Sequence, residues 1–476
     1  MDQVIDAINN IIWGYILIYG LLAVGIFYSF RLGFPQIVHF PEMLRALTNK
    51  QSDDATGISP RQALSVSLAS RVGTGNIAGV AVALYLGGPG AIFWMWMVAL
   101  VGMSSAYAES TLAQLYKGKG PMGNFRGGPA YYIERGLGKR WLGVVFSICL
   151  IISFGLVFNA VQSNAIAGAM DQAFGVPKLA TGIIIGGLTA IVIFGGIKKI
   201  ARVAEIIVPL MAAIYLLLTV VIMIINYSAV PDVLVSIVKN AFGLQEAIGG
   251  VTGGVMVALL NGIKRGLFSN EAGMGSAPNI AASATPVPHH PSSQGFVQAF
   301  GVFIDTICVC TATAVVILLS GIYQAGVGPS GVELTQLALA QHIGEAGFIF
   351  IAVAIFFFAF TSIIGNYSYA ENAMIFLGAE STKGLLGIRI GLISMVIWGS
   401  TQSVETVFNA ADASMGIMAI INLISITLLS GIVVTLTRDY LTQRKAGKDP
   451  VFHAPDHPEL CNNVDTDIWQ DPDRQA

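Results

Sequence analysis

Apolar residues run along this chain in long blocks separated by short polar connectors. A helix that crosses a bilayer needs ~17–25 mostly apolar residues. Blocks of that length predict eleven spans, over residues 11–30, 63–86, 89–115, 141–170, 179–197, 203–226, 247–277, 295–322, 347–377, 386–401 and 413–436. The expectation is an all-α membrane protein. The opening "MDQVIDAINN" is acidic and has no basic segment of the kind that starts a signal peptide, so the first span is read as a retained helix.

Two blocks break the pattern. The second span carries "SRVGTGNIAG" and the seventh carries "FSNEAGMGSAPN", small and polar residues inside otherwise apolar runs. Five spans separate the two breaks, and five is odd. Spans two to six and seven to eleven then enter the membrane from opposite sides, as an inverted repeat with the first span added. The organisation read from this is 1–62 as extra helix and loop, 63–226 and 247–436 as two five-helix halves, and 437–476 as a tail. Interrupted spans at matching places in two halves point to a transporter's binding site.

Composition agrees with a membrane protein. The chain is 54% hydrophobic and 11% charged, where a soluble domain is about 25% charged; mean hydropathy is +0.71. The net charge of −2 offers nothing to nucleic acid. Lysine and arginine are placed unevenly. Loops 31–62, 116–140, 198–202, 278–294 and 378–389, with the tail, carry 20 of the 25, whereas the opposite face carries Lys178 and Lys239. By the positive-inside rule the N-terminus is expected outside and the C-terminus in the cytoplasm; the absent signal peptide fits a bacterial inner membrane as the setting. Cys149, Cys308 and Cys310 read as small buried hydrophobes and Cys461 as a free thiol in the tail; the histidines form no ligand cluster. "TPVPHHPSSQG", 285–295, reads as a rigid connector.

Irregular backbone survives at membrane depth only where it lines a cavity or is covered by protein. Gly73, Gly75 and Gly79 permit unwinding, which frees carbonyls for a cation. The N–H groups that start the next half-helix suit an anion such as a carboxylate. Thr74 and Asn76 add side-chain oxygens. Gly75 and Gly79 also form GxxxG, which packs helices; Arg71, Asn76 and the matching break in span seven favour a site. Charges inside spans mark function by default: Arg71, Lys264, Arg265, Glu271 and Asp305. Asp305 is either a sodium ligand or a proton-titrating group. Glu271 is expected to pair with Arg71, Lys264 or Arg265 and so hold or gate the bundle. Lys264 alternatively snorkels from a helix end. In span four, Asn159, Gln162, Ser163 and Asn164 are either interhelical polar contacts or, for Gln162, a reach to substrate. In span nine, Thr361 and Ser362 are either hard oxygen ligands or hydroxyls bonded to the preceding turn. Asn366 lies one turn on from Ser362, near the same cavity.

"GTGNIAGVA" (73–81), "FRGGPAYYI" (125–133) and "FSNEAGMGSAP" (268–278) resemble the alanine/glycine–cation symporter family, and the likeness spans the whole chain. It implies a LeuT-type fold of inverted five-helix repeats plus one helix, and sodium-driven uptake of small neutral amino acids. Carried onto this sequence, Thr74, Gly75 and Asn76 cradle the substrate carboxylate, and Gln162, Phe268 and Ser269 line its pocket. Asn76 and Gly73 also lie by sodium, and Thr361 and Ser362 hold the ion common to LeuT-type carriers. Many members have Trp where this chain has Asn366, which opens the pocket and implies a larger or more polar substrate, such as glutamine. The implied partners are an amino acid, Na⁺ and the bilayer, with no chemistry on the substrate. Proton coupling and, further off, an ion channel are the competing readings. A channel would line its pore with carbonyl or charge rings.

Overall fold

The computed structural model describes residues 9–48, 57–120, 123–194, 196–243, 253–460 and 463–470. The start of the predicted seventh span, 247–252, and Cys461 lie outside the described residues.

The first helix, α1 (Asn9–Arg31), buries Trp13, Leu17, Leu21 and Tyr28 and exposes Tyr15, Tyr19, Ile26 and Phe30. One face therefore meets protein and the other meets lipid. Next comes α2 (Phe40–Thr48), an amphipathic helix within what the hydropathy pattern leaves as a loop. The second span is built in two pieces, α3 (Pro60–Arg71) and α4 (Gly75–Gly87). Pro60 at the first helical position and a Ser59–Gln62 capping box start α3. Then α5 (Gly90–Leu115) crosses as one buried helix. A two-strand ribbon, β1 (Gly118–Lys119) antiparallel to β2 (Phe125–Arg126), leads to α6 (Pro129–Leu137).

The fourth span is a continuous 35-residue helix, α7 (Arg140–Phe174), widened by a π segment at Ile151–Val157. Two apolar helices follow, α8 (Lys178–Ile193) and α9 (Gly196–Ile225), and then α10 (Val230–Ala241). The broken seventh span opens with α11 (Gly253–Asn270), unwinds over 271–277 and resumes as a single turn, Pro278–Ala281. Beyond it lie α12 (Pro291–Leu319), with a π segment at Phe303–Cys310, then α13 (Val332–Ile343) and α14 (Ala346–Phe376). The chain ends with α15 (Thr382–Ser400), α16 (Val404–Leu428) and α17 (Ser430–Lys445).

Among the described residues, eight helices are long and apolar enough to cross a membrane. Gly75–Gly87 and Lys178–Ile193 are apolar but shorter. The last predicted span, 413–436, is misplaced. The helix begins at Val404, capped by Ser403, whose Oγ accepts from Thr406 N at 3.1 Å, and it stops at Leu428. Asp412 sits inside it, buried, because Arg265 neutralises it. Two helices also stand where connectors were expected, α10 and α13. The latter lies against the α4 end of the first break, where Thr335 Oγ1 donates to Ile77 O at 3.2 Å.

Candidate functional site

The first break begins where Val72 turns extended (φ −73°, ψ 91°) and α3 stops. Unwinding leaves N–H groups without helical partners, and side chains take them up. Asn76 Oδ1 accepts from Gly73 N at 2.9 Å, and Gln162 Oε1 accepts from Thr74 N at 3.0 Å. Close approach makes the glycines necessary. A Cβ on Gly73 would stand 2.8 Å from Gln162 Oε1 and closer still to Ser362 Oγ. One on Gly75 would stand 2.9 Å from Ser269 Cα, so the two breaks touch there.

The second break uses left-handed backbone. Glu271 (φ 56°), Gly273 (φ 82°) and Gly275 (φ 82°) all have positive φ. Asn270 caps the end of α11, with its Oδ1 accepting from Ala272 N at 3.0 Å. The amides of Gly273 and Gly275 each donate to the Glu109 carboxylate of α5 at 3.2 Å, and Asn422 of α16 donates to it at 2.8 Å. Glu109 is fully buried and absent from the sequence-based candidates. The rule that singled out Asp305, a charge inside an apolar span, applies equally to Glu109 in "SSAYAESTLAQ", whereas Asp412 escapes it by falling one residue ahead of the expected span 413–436.

Asp305 joins the breaks. It lies in the π segment of α12, where one extra residue per turn aims a side chain out of register. Its carboxylate accepts from Asn76 Nδ2 (2.8 Å) of the first break, Ser269 Oγ (2.8 Å) beside the second and its neighbour Thr306 Oγ1 (2.8 Å). Asn270 Nδ2 reaches Thr306 Oγ1 at 3.1 Å. No basic residue among the described ones forms an ion pair with Asp305. The result is a buried carboxylate with the Ser269 and Thr306 hydroxyl oxygens beside it and the Asn76 amide nitrogen donating to it; carboxylate and hydroxyl oxygens are the ligands a hard cation takes.

Other candidates are spread around this junction. Thr361 Oγ1 donates to Phe358 O at 2.9 Å, as hydroxyls in helices do; Ser362 Oγ meets Phe358 O at 3.1 Å and also crosses to Ala69 O at 2.8 Å. Ser362 therefore faces the first break and Thr361 is turned to its own helix. Asn366 accepts from Ser70 Oγ at 2.7 Å and donates to Asn159 Oδ1 at 3.1 Å. Asn159 in turn donates to Phe154 O and Gly155 O, two carbonyls of the α7 π segment.

The charge partners differ from expectation. Among the described residues Glu271 forms no ion pair with Arg71, Lys264 or Arg265. It accepts from Ser70 (3.1 Å), Ser276 (2.5 Å) and Tyr369 (3.3 Å). Its left-handed backbone turns it toward α3 and α14, away from α11. Arg265 is paired with Asp412 instead, and its guanidinium lies 4.8 Å from the Phe408 ring centre. Phe408, Phe268 and Phe158 continue as an aromatic stack, with centroids at 5.1 and 4.6 Å. Arg71 donates to Gln298 O at 3.2 Å, while its Nε and Nη2 have no hydrogen-bond partner among the described residues. Gly301 makes room for it, since a Cβ there would stand 2.7 Å from Nη1.

Two cavities open beyond the aromatic stack. One of about 360 Å³ is lined by Asn164, Asp171, Lys178, Glu333 and Gln402. Another of about 380 Å³ is lined by Lys264, Arg265, Glu405, Asn409 and Asp412. Ser330, Val404 and Phe408 border both.

Broken helices meeting around a buried carboxylate define a secondary transporter of LeuT-type fold. A solved structure of a manganese transporter from Eremococcus coleocola shares this fold, with a TM-score of 0.51, 14% identity, and coverage of 79% of this chain and 78% of that one. The sodium:alanine symporter family model matches residues 1–454, and the chain belongs to that family. It is similar to the amino-acid carrier protein AlsT of Bacillus subtilis (strain 168), 50% identical over 100% of this chain and 99% of that protein. It is also similar to the probable sodium/glutamine symporter GlnT of the same strain, 48% identical over 95% of this chain and 93% of that protein. The protein is thus a multi-pass membrane carrier, a sodium-coupled amino-acid symporter and not an enzyme.

Proposed function

We propose that the chain imports a small or medium-sized neutral amino acid with Na⁺ by alternating access, binding both at the junction of the two breaks. The observation that carries this is the Asp305 carboxylate, which takes one hydrogen bond from Asn76 and one from Ser269. Na⁺ would replace those donors with oxygens of Asp305, Ser269, Thr306 and Asn76. A second ion would sit by Ser362 and the backbone around Gly73, with Thr361 joining only if its hydroxyl turned away from Phe358 O. The substrate carboxylate would take the N–H groups of Thr74 and Gly75 at the start of α4, where the dipole is positive. Gln162, Phe268 and Ser269 would line its pocket. The Arg265–Asp412 pair and the aromatic stack would close it toward the two cavities, and Arg71 and Glu271 would adjust as the halves 63–226 and 247–436 rock. By the lysine and arginine bias those cavities would face outside and the tail the cytoplasm.

Energetically one Na⁺ suffices. A charge moving down 100 mV contributes about 2.3 kcal/mol, against about 1.4 kcal/mol for a tenfold substrate gradient. For substrate choice, Asn366 offers an amide bonded to Ser70 and Asn159 where a bulky ring would stand, and the relative GlnT carries glutamine in its name. Glutamine is therefore the substrate to try beside alanine. Uptake of labelled Ala, Gly, Ser and Gln into proteoliposomes, driven by an imposed Na⁺ or H⁺ gradient, tests the reading. Uptake under H⁺ alone overturns sodium coupling. Alanine preferred equally by wild type and Asn366→Trp overturns the role of Asn366. The proton reading has one observation of its own: Glu109 and Glu271 are buried without an ion pair among the described residues.

A further inference from the structure

The tail beyond α17 folds back on the bundle. Trp469 is fully buried, and its indole N–H donates to Leu115 O at the end of α5, at 3.2 Å. Lys117 Nζ lies 5.0 Å from the Trp469 ring and 4.1 Å from the Phe125 ring, and donates to Ala284 O at 2.8 Å. Phe452, also fully buried, donates its N–H to His289 O at 2.9 Å, while Ala454 N–H reaches Trp469 O at 2.9 Å. His290 Nε2 meets Asp439 of α17 at 3.1 Å. Residues 449–470 contain five acidic residues and no lysine or arginine; the 116–140 connector beside them contains six basic ones.

What the tail grips is informative. Residues 283–285 run parallel to the entry of α3: Ile58 N–H donates to Ser283 O at 3.1 Å and Thr285 N–H to Ile58 O at 2.9 Å. The 283–290 connector follows the resumed half of the second broken helix, and Ile58 precedes the first half of the other. Both halves reach the face opposite the two cavities. Solute leaving the junction toward this face must part these segments, and the tail fastens the connector from the far side. The family model ends at residue 454, short of Trp469.

We propose that the tail segments 449–460 and 463–470 are a latch on this door. Docked, they hold the 283–290 connector against the entry of α3 and keep the face shut. Undocking lets it open, so the tail sets the rate of release on this side. The proposal rests on the alternating-access reading only for its direction of transport.

Amide hydrogen exchange on the purified full chain tests it, beside Trp469→Ala and a chain ended after Lys448. Exchange in 57–70 and 281–290 is expected to rise about tenfold in both variants, with α7 and α14 unchanged. Efflux of labelled alanine from preloaded proteoliposomes is expected to quicken. Trp469→Phe, which keeps a ring and loses the bond to Leu115, is expected to fall between wild type and Trp469→Ala, and it serves if the larger changes fail to fold. Unchanged exchange overturns the latch, and so does faster exchange with slower efflux, which is the mark of a tail that only stabilises. The exchange measurement uses no substrate, so its failure is separable from failure of the amino-acid reading.

Discussion

The two broken helices solve one problem by different means. At the first break, a short extended step is stitched by neutral side chains, Asn76 and Gln162, which accept the stranded N–H groups. At the second, left-handed residues turn the chain, and a buried carboxylate, Glu109, collects two amides at once. Neutral caps are individually weak and exchangeable. A buried carboxylate is strong while paired and costly once its partners are gone. On the proposed reading the first break is the one that would rearrange around cargo, and the second the anchor that would hold its half of the site in place.

The largest expected effect breaks the anchor. Glu109→Ala leaves the Gly273 and Gly275 amides without their acceptor and takes one of two acceptors from Asn422 Nδ2, and a loss of about 3 kcal/mol is expected. It is read as a lower thermal unfolding midpoint, with uptake abolished in every ion gradient. An unchanged midpoint would remove the distinction between the breaks. Next, Asn76→Ala removes a cap worth about 1 kcal/mol, yet also one of the donors to Asp305. The Na⁺ concentration for half-maximal uptake should rise roughly tenfold, which is about 1.4 kcal/mol of binding, while the unfolding midpoint barely moves. Gly275→Ala forces a left-handed alanine at a cost of about 1–2 kcal/mol, and its Cβ would also stand 2.8 Å from Pro129. Its midpoint should fall by less than that of Glu109→Ala, with sodium dependence intact.

The smallest effect lies away from both breaks. Burial pushes the His290 imidazole below its ordinary value, with Asp439 pulling partly the other way. The docked tail thus favours neutral His290, whereas an undocked one protonates near pH 6.5. Docking is full above that pH and weakens as pH falls through it. Limited proteolysis of the tail should be faster at pH 5.5 than at pH 7.5, and His290→Gln should flatten the difference.

Much of this was legible in the chain before any tertiary contact. Apolar blocks and lysine–arginine placement mark spans and faces, because lipid penalises charge residue by residue. The two breaks were visible because glycine, asparagine and serine stand out in such blocks, and Asp305 was visible as a charge without a local partner. Partners were not legible. Glu271 sits near Arg265 in sequence, yet a left-handed residue turns it toward Ser70 and Tyr369. Arg265 instead finds Asp412, 147 positions away. Asp412 likewise looks costly in a span until Arg265 stands beside it, and the helix that carries it runs Val404–Leu428 rather than 413–436. Glu109, Asn422 and Trp469 act only through contacts between segments far apart in the chain. By itself the sequence determined where helices run and where they fail, since hydropathy and backbone preference are local. Which buried polar groups satisfy one another depends on distance in space, and that only the packing of the bundle decided.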